Sequence, residues 1–437
     1  MALAVAAGTV LLGDSNRFLP PVHEKYTDVA GNGGADLIPT FNAACALIDG
    51  QNPYHSDPEK YPDPFAYSRG GDENITYLYL PTHALVYVPI ALLSGCKFEV
   101  GVRMQFFLSL ILMGVIGLAV ADLIHTVVAI SPELRITIAL ISAYVLGLNG
   151  GSQLGLERGQ SDLLTSALCW SAVALFCRGW LATALFLALG GALLKGYGVA
   201  LFGGLALMGL MSVSRAYKRA TLIGAAAGLA LLLLPVARYL PDAKAALSIR
   251  TAMFWRGWVN QSLYALWYFV LPSAAGAGRV LVVLWSGVVT ALAFWRWRSV
   301  WRPLSEQRSP ELQQKNALHA SAFAAASLTL ILSCSSNSIA YDSVVVLPGA
   351  LIIACAQSAL TSGNARRTHA IGAWLAFTMF CLCSFSVHRL IGRPVAPHRE
   401  LPMHALGLFS LSLLVLTHVT TRAQPRSDAF ASTPGLP

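Results

Sequence analysis

Ala35-Asp36-Leu37-Ile38-Pro39-Thr40-Phe41-Asn42-Ala43-Ala44-Cys45-Ala46-Leu47-Ile48-Asp49-Gly50-Gln51-Asn52-Pro53-Tyr54 is a polar, acid-bearing segment set between apolar runs. Leu37, Phe41, Ala44, Cys45 and Ile48 recur at helical spacing, and Gly50 with Asn52-Pro53 ends the pattern. A short amphipathic helix is predicted, with the Asp36 carboxylate fixed at its start. Tyr77-Leu78-Tyr79-Leu80-Pro81 then leads into the apolar run Ala84 to Leu93. The segment is thus tethered at both ends to apolar sequence, which points to chemistry at a membrane surface.

The rest of the chain supplies the membrane. Of 437 residues, 55% are hydrophobic and 12% charged, with a mean hydropathy of +0.59, whereas soluble chains carry roughly 25% charge. Apolar runs fall near residues 76–95, 104–121, 135–149, 161–177, 180–194, 198–213, 221–240, 278–296, 317–334, 343–360, 369–388 and 403–421. A spanning helix needs about 20 residues, so the expectation is an all-α, polytopic transmembrane helical bundle with short amphipathic helices in its first external loop. Residues 1–437 read as one integral membrane domain, 14–75 as that external loop and 422–437 as a cytoplasmic disordered tail. Met1 to Gly13 is apolar but short and lacks the basic region of a signal peptide, so it reads as a short or truncated first helix.

The net charge of +9 sits in short clusters between apolar runs, a pattern that argues against nucleic acid and for positive-inside orientation. Arg215 to Arg219, Arg296 to Arg302 and Arg366-Arg367 are assigned to the cytoplasm. The turns with Gln160, Lys195, Asn260 and Asp342 then fall on the opposite side. Residues 14–75 hold ten of the 21 acidic residues and four basic ones, and read as external. Alternation then fails once, so either one run between residues 76 and 149 does not cross fully or the division of the chain into runs there is wrong. Six of the eight cysteines, Cys169, Cys177, Cys334, Cys355, Cys381 and Cys383, lie in or at the ends of apolar runs as small packing residues. No metal or redox spacing is present; Cys381 and Cys383, two apart in a helical run, fall on different faces.

Taken in order, Asp36, Gly50-Gln51-Asn52-Pro53-Tyr54, Tyr79-Leu80-Pro81, Arg158-Gly159-Gln160-Ser161-Asp162-Leu163-Leu164, Leu194-Lys195 and Asn260-Gln261-Ser262-Leu263 form a pattern. It resembles the polyprenyl-phosphate-dependent glycosyltransferases of family 87, integral membrane enzymes of the GT-C superfamily that include bacterial phosphatidylinositol-mannoside mannosyltransferases. The likeness covers nearly the whole chain, and its Asn-Gln-Ser-Leu element is the most distinctive. Three departures bear on donor and acceptor: Tyr79-Leu80-Pro81 replaces Tyr-Pro-Pro, Gly196-Tyr197-Gly198 follows Lys195 where proline is common, and Ser338-Ile339-Ala340-Tyr341-Asp342 lacks the family's late histidine.

The resemblance implies a GT-C-type bundle and transfer of a sugar, with mannose the family-weighted choice, from a polyprenyl phosphate to an external lipid, glycan or protein acceptor. Such a donor is already activated, so the enzyme must take a proton from the acceptor hydroxyl and stabilise the departing phosphate. Asp36 is implied as general base in a single inverting displacement without a covalent intermediate. No cofactor and no metal are expected, because Gly34 to Ile38 offers one acid where metal-using relatives carry two; Glu24, Asp28 or Asp72 folding back is the route to a second ligand. The implied partners are the lipid bilayer, the polyprenyl-phosphate sugar and the acceptor. The implied location is a bacterial inner membrane with a periplasmic site.

Each candidate also has a structural reading. Asp36 at a helix start interacts favourably with the helix dipole without any catalysis. Lys195, the sole charge between Leu181 and Met211, either meets the donor phosphate or marks a turn with its ammonium snorkelling to the interface. Gly190, Gly191, Gly196 and Gly198 around it either admit a headgroup or reflect ordinary membrane-helix usage. Arg158 and Gln160, with Asp162, either orient the donor or form a capping turn. Asn260 and Gln261 suit a sugar and equally suit an external loop; Arg256 is a further phosphate candidate. Trp255, Trp258, Tyr264, Trp267 and Tyr268 stack on sugars or form the interfacial belt. Tyr341 and Asp342 complete the donor set, and Asn52, Tyr54 and Tyr79 lie beside the substrate. His388, Arg389, Arg393, His398, Arg399 and His404 form a basic external cluster suited to an anionic lipid or pyrophosphate. His83 and His125, lone histidines at helix ends, read as structural.

Two other functions share these features: a transporter or flippase of lipid-linked sugars, and a ligase using a pyrophosphate lipid. A transporter favours internal repeats and midplane charges. The chain has no evident repeat and gathers its polar residues at one face.

Overall fold

A computed structural model describes residues 36–57, 59–61, 77–128, 130–148, 156, 159–254, 262, 263, 267, 272–302, 309–334, 342–360, 371, 372, 374, 375 and 403–420, and among these there is no β-strand. The helices are α1 (Ile38–Ile48), α2 (Pro81–Leu93), α3 (Phe98–Val128), α4 (Pro132–Leu148), α5 (Asp162–Cys177), α6 (Leu181–Lys195) and α7 (Val199–Leu210). A longer rod follows: α8 (Arg215–Gly228), a π turn (Leu229–Leu233), a 3-10 segment (Leu234–Tyr239) and α9 (Leu240–Phe254). The last are α10 (Ala275–Val300), α11 (Pro310–Cys334), α12 (Ser343–Leu360) and α13 (Met403–Thr420).

Among the described residues, four helical stretches are long and apolar enough to cross a membrane: Phe98–Val128, Arg215–Ser248, Gly276–Val300 and Pro310–Cys334. Of these α11 is the most enclosed, lined by Ala320, Ala322, Ala324 and Ala325, whose small side chains admit close neighbours. The rod and α10 lie at the periphery, with Leu222, Ile223, Leu231, Leu234, Leu281 and Leu284 exposed. Apolar faces of that extent have no place in water and match a lipid environment. The chain is a polytopic helical membrane protein.

Among the described residues, successive helices from α3 to α12 alternate between two ends of the bundle, and α13 runs alongside α12 in the same direction, its His418 meeting Gln357. At one end Asp122 of α3 pairs with Arg135 of α4 at 2.8 Å and with Arg178 after α5, and Tyr217 of α8 meets Trp301 after α10. The arginine clusters Arg215 to Arg219 and Arg296 to Arg302 belong to this basic end. The opposite end carries the starts of α3, α5, α7 and α12. There α12 is seated by its own proline: Pro348 has no N–H for the Val344 carbonyl, and Ser166 Oγ of α5 donates to that oxygen at 3.0 Å. The Trp170 indole donates to the next carbonyl, Val345, at 2.8 Å, with Gly349 packed against the same ring.

The run at 76–95 holds a helix whose two ends lie at the same end of the bundle. Its helix, α2, has 13 residues and a length of about 20 Å, against an apolar bilayer core of about 30 Å. Pro81 starts it after an extended Leu80, and Thr82 Oγ1 donates to the Leu193 carbonyl near the end of α6. At its far end Cys96 forms a disulfide with Cys45 of α1, with Cα atoms 5.9 Å apart. Both ends of α2 are therefore tied to the same end of the bundle, which restores the alternation. The sequence reading had no signal for this disulfide. α1 begins at Ile38, two residues after Asp36, and stops at Gly50, whose φ of +73° is the left-handed conformation glycine adopts without strain. Thr40 on its polar face is buried along with Phe41, Ala44 and Cys45.

α5, α6 and α7 contain 16, 15 and 12 residues, or about 24, 22 and 18 Å. Each is shorter than the roughly 30 Å apolar core of a bilayer. α1 and α2 cover the ends opposite the basic turns, and the polar residues lie beneath.

Candidate active site

The site is built where the turn before α5, the end of α6 and the entry to α1 meet. Gly159 turns the chain at φ +72°, and Gln160, Ser161 and Asp162 then enter α5 fully buried. The Gln160 amide Nε2 donates to Asp36 Oδ2 at 2.6 Å, across 124 residues of sequence. Its Oε1 accepts from the Lys195 ammonium at 2.8 Å. Lys195 also donates to both Asp162 oxygens, at 3.0 and 2.9 Å. The side chains of Lys195 and Asp162 are each only 2% exposed, so this is an interior ion pair, and water screens it little.

Lys195 is aimed by the turn that follows it. Gly196 closes α6 at φ +81°, and a Cβ on Gly198 would lie 2.8 Å from the Ala192 nitrogen. Gly191 packs against Cys169 Sγ in the same way. The glycines around Lys195 thus serve turn geometry and helix packing. Tyr197 points back to donate to Asp342 Oδ1 at 2.9 Å, and that oxygen is 4.0 Å from Lys195 Nζ. Three carboxylates and one ammonium share a connected network, in which Lys195, Asp162 and Asp342 are buried and Asp36 is half-buried.

Aromatic rings line one flank. Tyr54 meets Tyr77 and Tyr77 meets Tyr79 at tilted angles, while Tyr79 with His83 and His83 with Tyr87 pack edge to face, with centroids 4.8–5.7 Å apart. The Tyr54 phenol donates to the Tyr79 carbonyl. Burial first, and the Asp242 carboxylate second, hold that phenol above its ordinary titration range, so it stays a donor. Asn52 Nδ2 donates to Asp242 Oδ2 at 2.8 Å, and its Oδ1 accepts the Tyr54 N–H at 3.0 Å.

Of the residues picked from sequence, Asp36, Gln160, Lys195 and Asp342 come together, while Asn52, Tyr54 and Tyr79 form the adjoining flank. Arg158, Arg256, Asn260, Gln261 and Tyr341 lie outside the described residues, as do Glu24, Asp28, Asp72, Trp255, Trp258, Tyr264, Tyr268, His388, Arg389, Arg393, His398 and Arg399. Asp36 precedes α1, whose first turn carries no acid. His83 is buried in the tyrosine flank, and His125 Nδ1 meets the Ile130 carbonyl at 2.6 Å at the basic end. Tyr197 and Asp242 were missed. Tyr197 carried a signal, the unusual Gly-Tyr-Gly after Lys195; Asp242 had none, since its partner Asn52 is 190 residues away. Among the described residues no group of three or more His, Cys, Asp or Glu side chains is arranged to hold a metal ion.

Fold and site together define a polytopic membrane protein with a buried acid–amide–ammonium network at one end of its bundle. No family model matches the chain, and no curated protein matches it. Among solved structures it is similar to the apo-state crystal structure of ArnT from Cupriavidus metallidurans, with 16% identity, a TM-score of 0.34, and coverage of 96% of this chain and 76% of that one.

Proposed function

We propose that this chain is a GT-C-type glycosyltransferase that moves a sugar, mannose first among the choices, from a polyprenyl phosphate to a lipid, glycan or protein acceptor. The observation that carries the reading is the hydrogen-bonded run from Asp36 through Gln160 to Lys195. It joins three of the motifs behind the family 87 resemblance, which lie far apart in sequence. A carboxylate held by an amide is ready to accept a proton.

In the proposed reaction the acceptor hydroxyl gives its proton to Asp36 while its oxygen attacks the anomeric carbon. The bond from that carbon to the phosphate oxygen breaks, and its electron pair leaves with polyprenyl phosphate. One displacement inverts the configuration. Arg158 and Arg256 are assigned to the leaving phosphate, and Asn260, Gln261, Tyr341 and Asp342 to the donor's polar groups. Asn52, Tyr54 and Tyr79 border the acceptor side. No metal enters these steps.

Two features support an extracytoplasmic site. The Cys45–Cys96 disulfide lies at the Asp36 end, and disulfides persist in oxidising compartments. The clusters Arg215 to Arg219 and Arg296 to Arg302 lie at the other end, as positive-inside orientation requires.

The test is transfer of label from radiolabelled polyprenyl-phosphate mannose to a membrane lipid extract by purified protein. Asp36→Asn should lower the rate by about 10²- to 10⁴-fold, the usual share of a general base, and a chelator should change nothing. Equal activity of both proteins would reduce Asp36 to a helix-start acid. Inactivity of both would remove mannose and call for other sugar lipids.

A further inference from the structure

Lys195 is the expected ligand of the donor phosphate, yet its geometry fits another task. An ammonium has three N–H donors, and three acceptor atoms already lie within 3.0 Å of it: Gln160 Oε1, Asp162 Oδ1 and Asp162 Oδ2. A fourth oxygen, Asp342 Oδ1, is 4.0 Å away. A phosphate arriving there would have to displace one of these partners and sit beside two carboxylates.

The Gln160 amide is held from both sides. Its oxygen faces the ammonium and its NH₂ faces the Asp36 carboxylate. Flipping it would turn the NH₂ toward a cation and the oxygen toward an anion, so charge on each side fixes one orientation. Asp162, by gripping Lys195 through both oxygens, fixes the ammonium in turn.

We propose that Lys195 and Gln160 are positioning residues for Asp36, with Lys195 acting through the Gln160 amide and making no bond to the donor phosphate. This rests on the glycosyltransferase reading above. The run Asp162, Lys195, Gln160, Asp36 works as one unit that sets the direction of a single carboxylate oxygen. The phosphate is then left to cations elsewhere in the site.

The test uses full-length protein in lipid nanodiscs. Binding of polyprenyl phosphate is measured directly, and kcat and donor KM are measured in parallel for wild type, Lys195→Met, Gln160→Leu and the double variant. Lys195→Met should lower kcat by about 10- to 100-fold, the usual loss when a supporting shell is removed. It should leave lipid Kd and donor KM within about twofold, because no charged hydrogen bond to phosphate is lost. Gln160→Leu should lower kcat to a similar degree, and the double variant should be no worse than either single one, since residues in one chain are not additive.

A rise in lipid Kd of about tenfold in Lys195→Met, the loss expected for a charged hydrogen bond, would return Lys195 to the phosphate. Multiplying effects in the double variant would also overturn the proposal. If Lys195→Met does not fold because Asp162 is left alone in the interior, Lys195→Met/Asp162→Leu removes both charges and carries the same expectations. A wild type that neither binds polyprenyl phosphate nor transfers sugar removes the enzyme reading itself, a result separate from any difference between variants.

Discussion

Asn52 illustrates how one carboxamide sets a local geometry. Its Nδ2 reaches Asp242 on the rod, while its Oδ1 takes the Tyr54 N–H two residues on. The turn after α1 is thereby bound to a distant helix, and Tyr54 is delivered to Tyr79. Asn52→Asp replaces a donor by a second carboxylate facing Asp242. The expected loss is about 1–3 kcal/mol, the cost of a broken polar contact with no replacement, read as a lowered melting temperature at neutral pH. It should shrink in acid, where the new pair takes up a proton. At this scale the sequence showed which residues are polar and punctuating, since Gly50, Asn52 and Pro53 each have a local conformational cause. It did not show that Asp242 closes the other side, because that contact depends on the packing of the whole bundle.

Among the elements, α1 and α2 matter most. The disulfide links α1 to the turn after α2, and Asp36 lies just before the same α1. Cys45→Ser or Cys96→Ser should cost about 2–4 kcal/mol of stability, the range for closing a loop of this kind, measured by thermal unfolding with and without reductant. Transfer activity should fall more than the melting temperature alone accounts for, since α1 would lose its hold on the site. The helical spacing from Leu37 to Ile48 made α1 readable, and Gly50 marked its end. α2 was harder: Ala84 to Leu93 is as apolar as a true span, and composition alone does not distinguish a short interfacial helix from a crossing one. The disulfide was illegible for a similar reason, since a chain with eight cysteines admits many pairings and only the fold selects one.

For the molecule as a whole, the placement of α2 fixes which faces share a compartment. Lys60 and Lys97 are both exposed, lie on either side of the 76–95 run, and belong to the Asp36 end; Lys218 is exposed at the basic end. In intact cells, Lys60→Cys and Lys97→Cys should both react with a membrane-impermeant thiol reagent, and Lys218→Cys should react only after lysis. Opposite labelling of Lys60→Cys and Lys97→Cys would make α2 a span after all. Most helices from α3 onward were legible as apolar runs with boundaries shifted by a few residues. The convergence of their polar ends was foreseen only as a shared side, because distances between turns arise from helix lengths and packing.

The pairing of Asp162 with Lys195 also bears on how the chain is made. α5 and α6 form an antiparallel hairpin whose polar tips both lie at the Asp36 end, so both tips must travel across the bilayer during insertion if that end is extracytoplasmic. Alone, either charge would meet a steep barrier in the apolar core. Paired, they present one neutral dipole, so the cost of carrying the hairpin's tips through the apolar core is lower than for either charge alone.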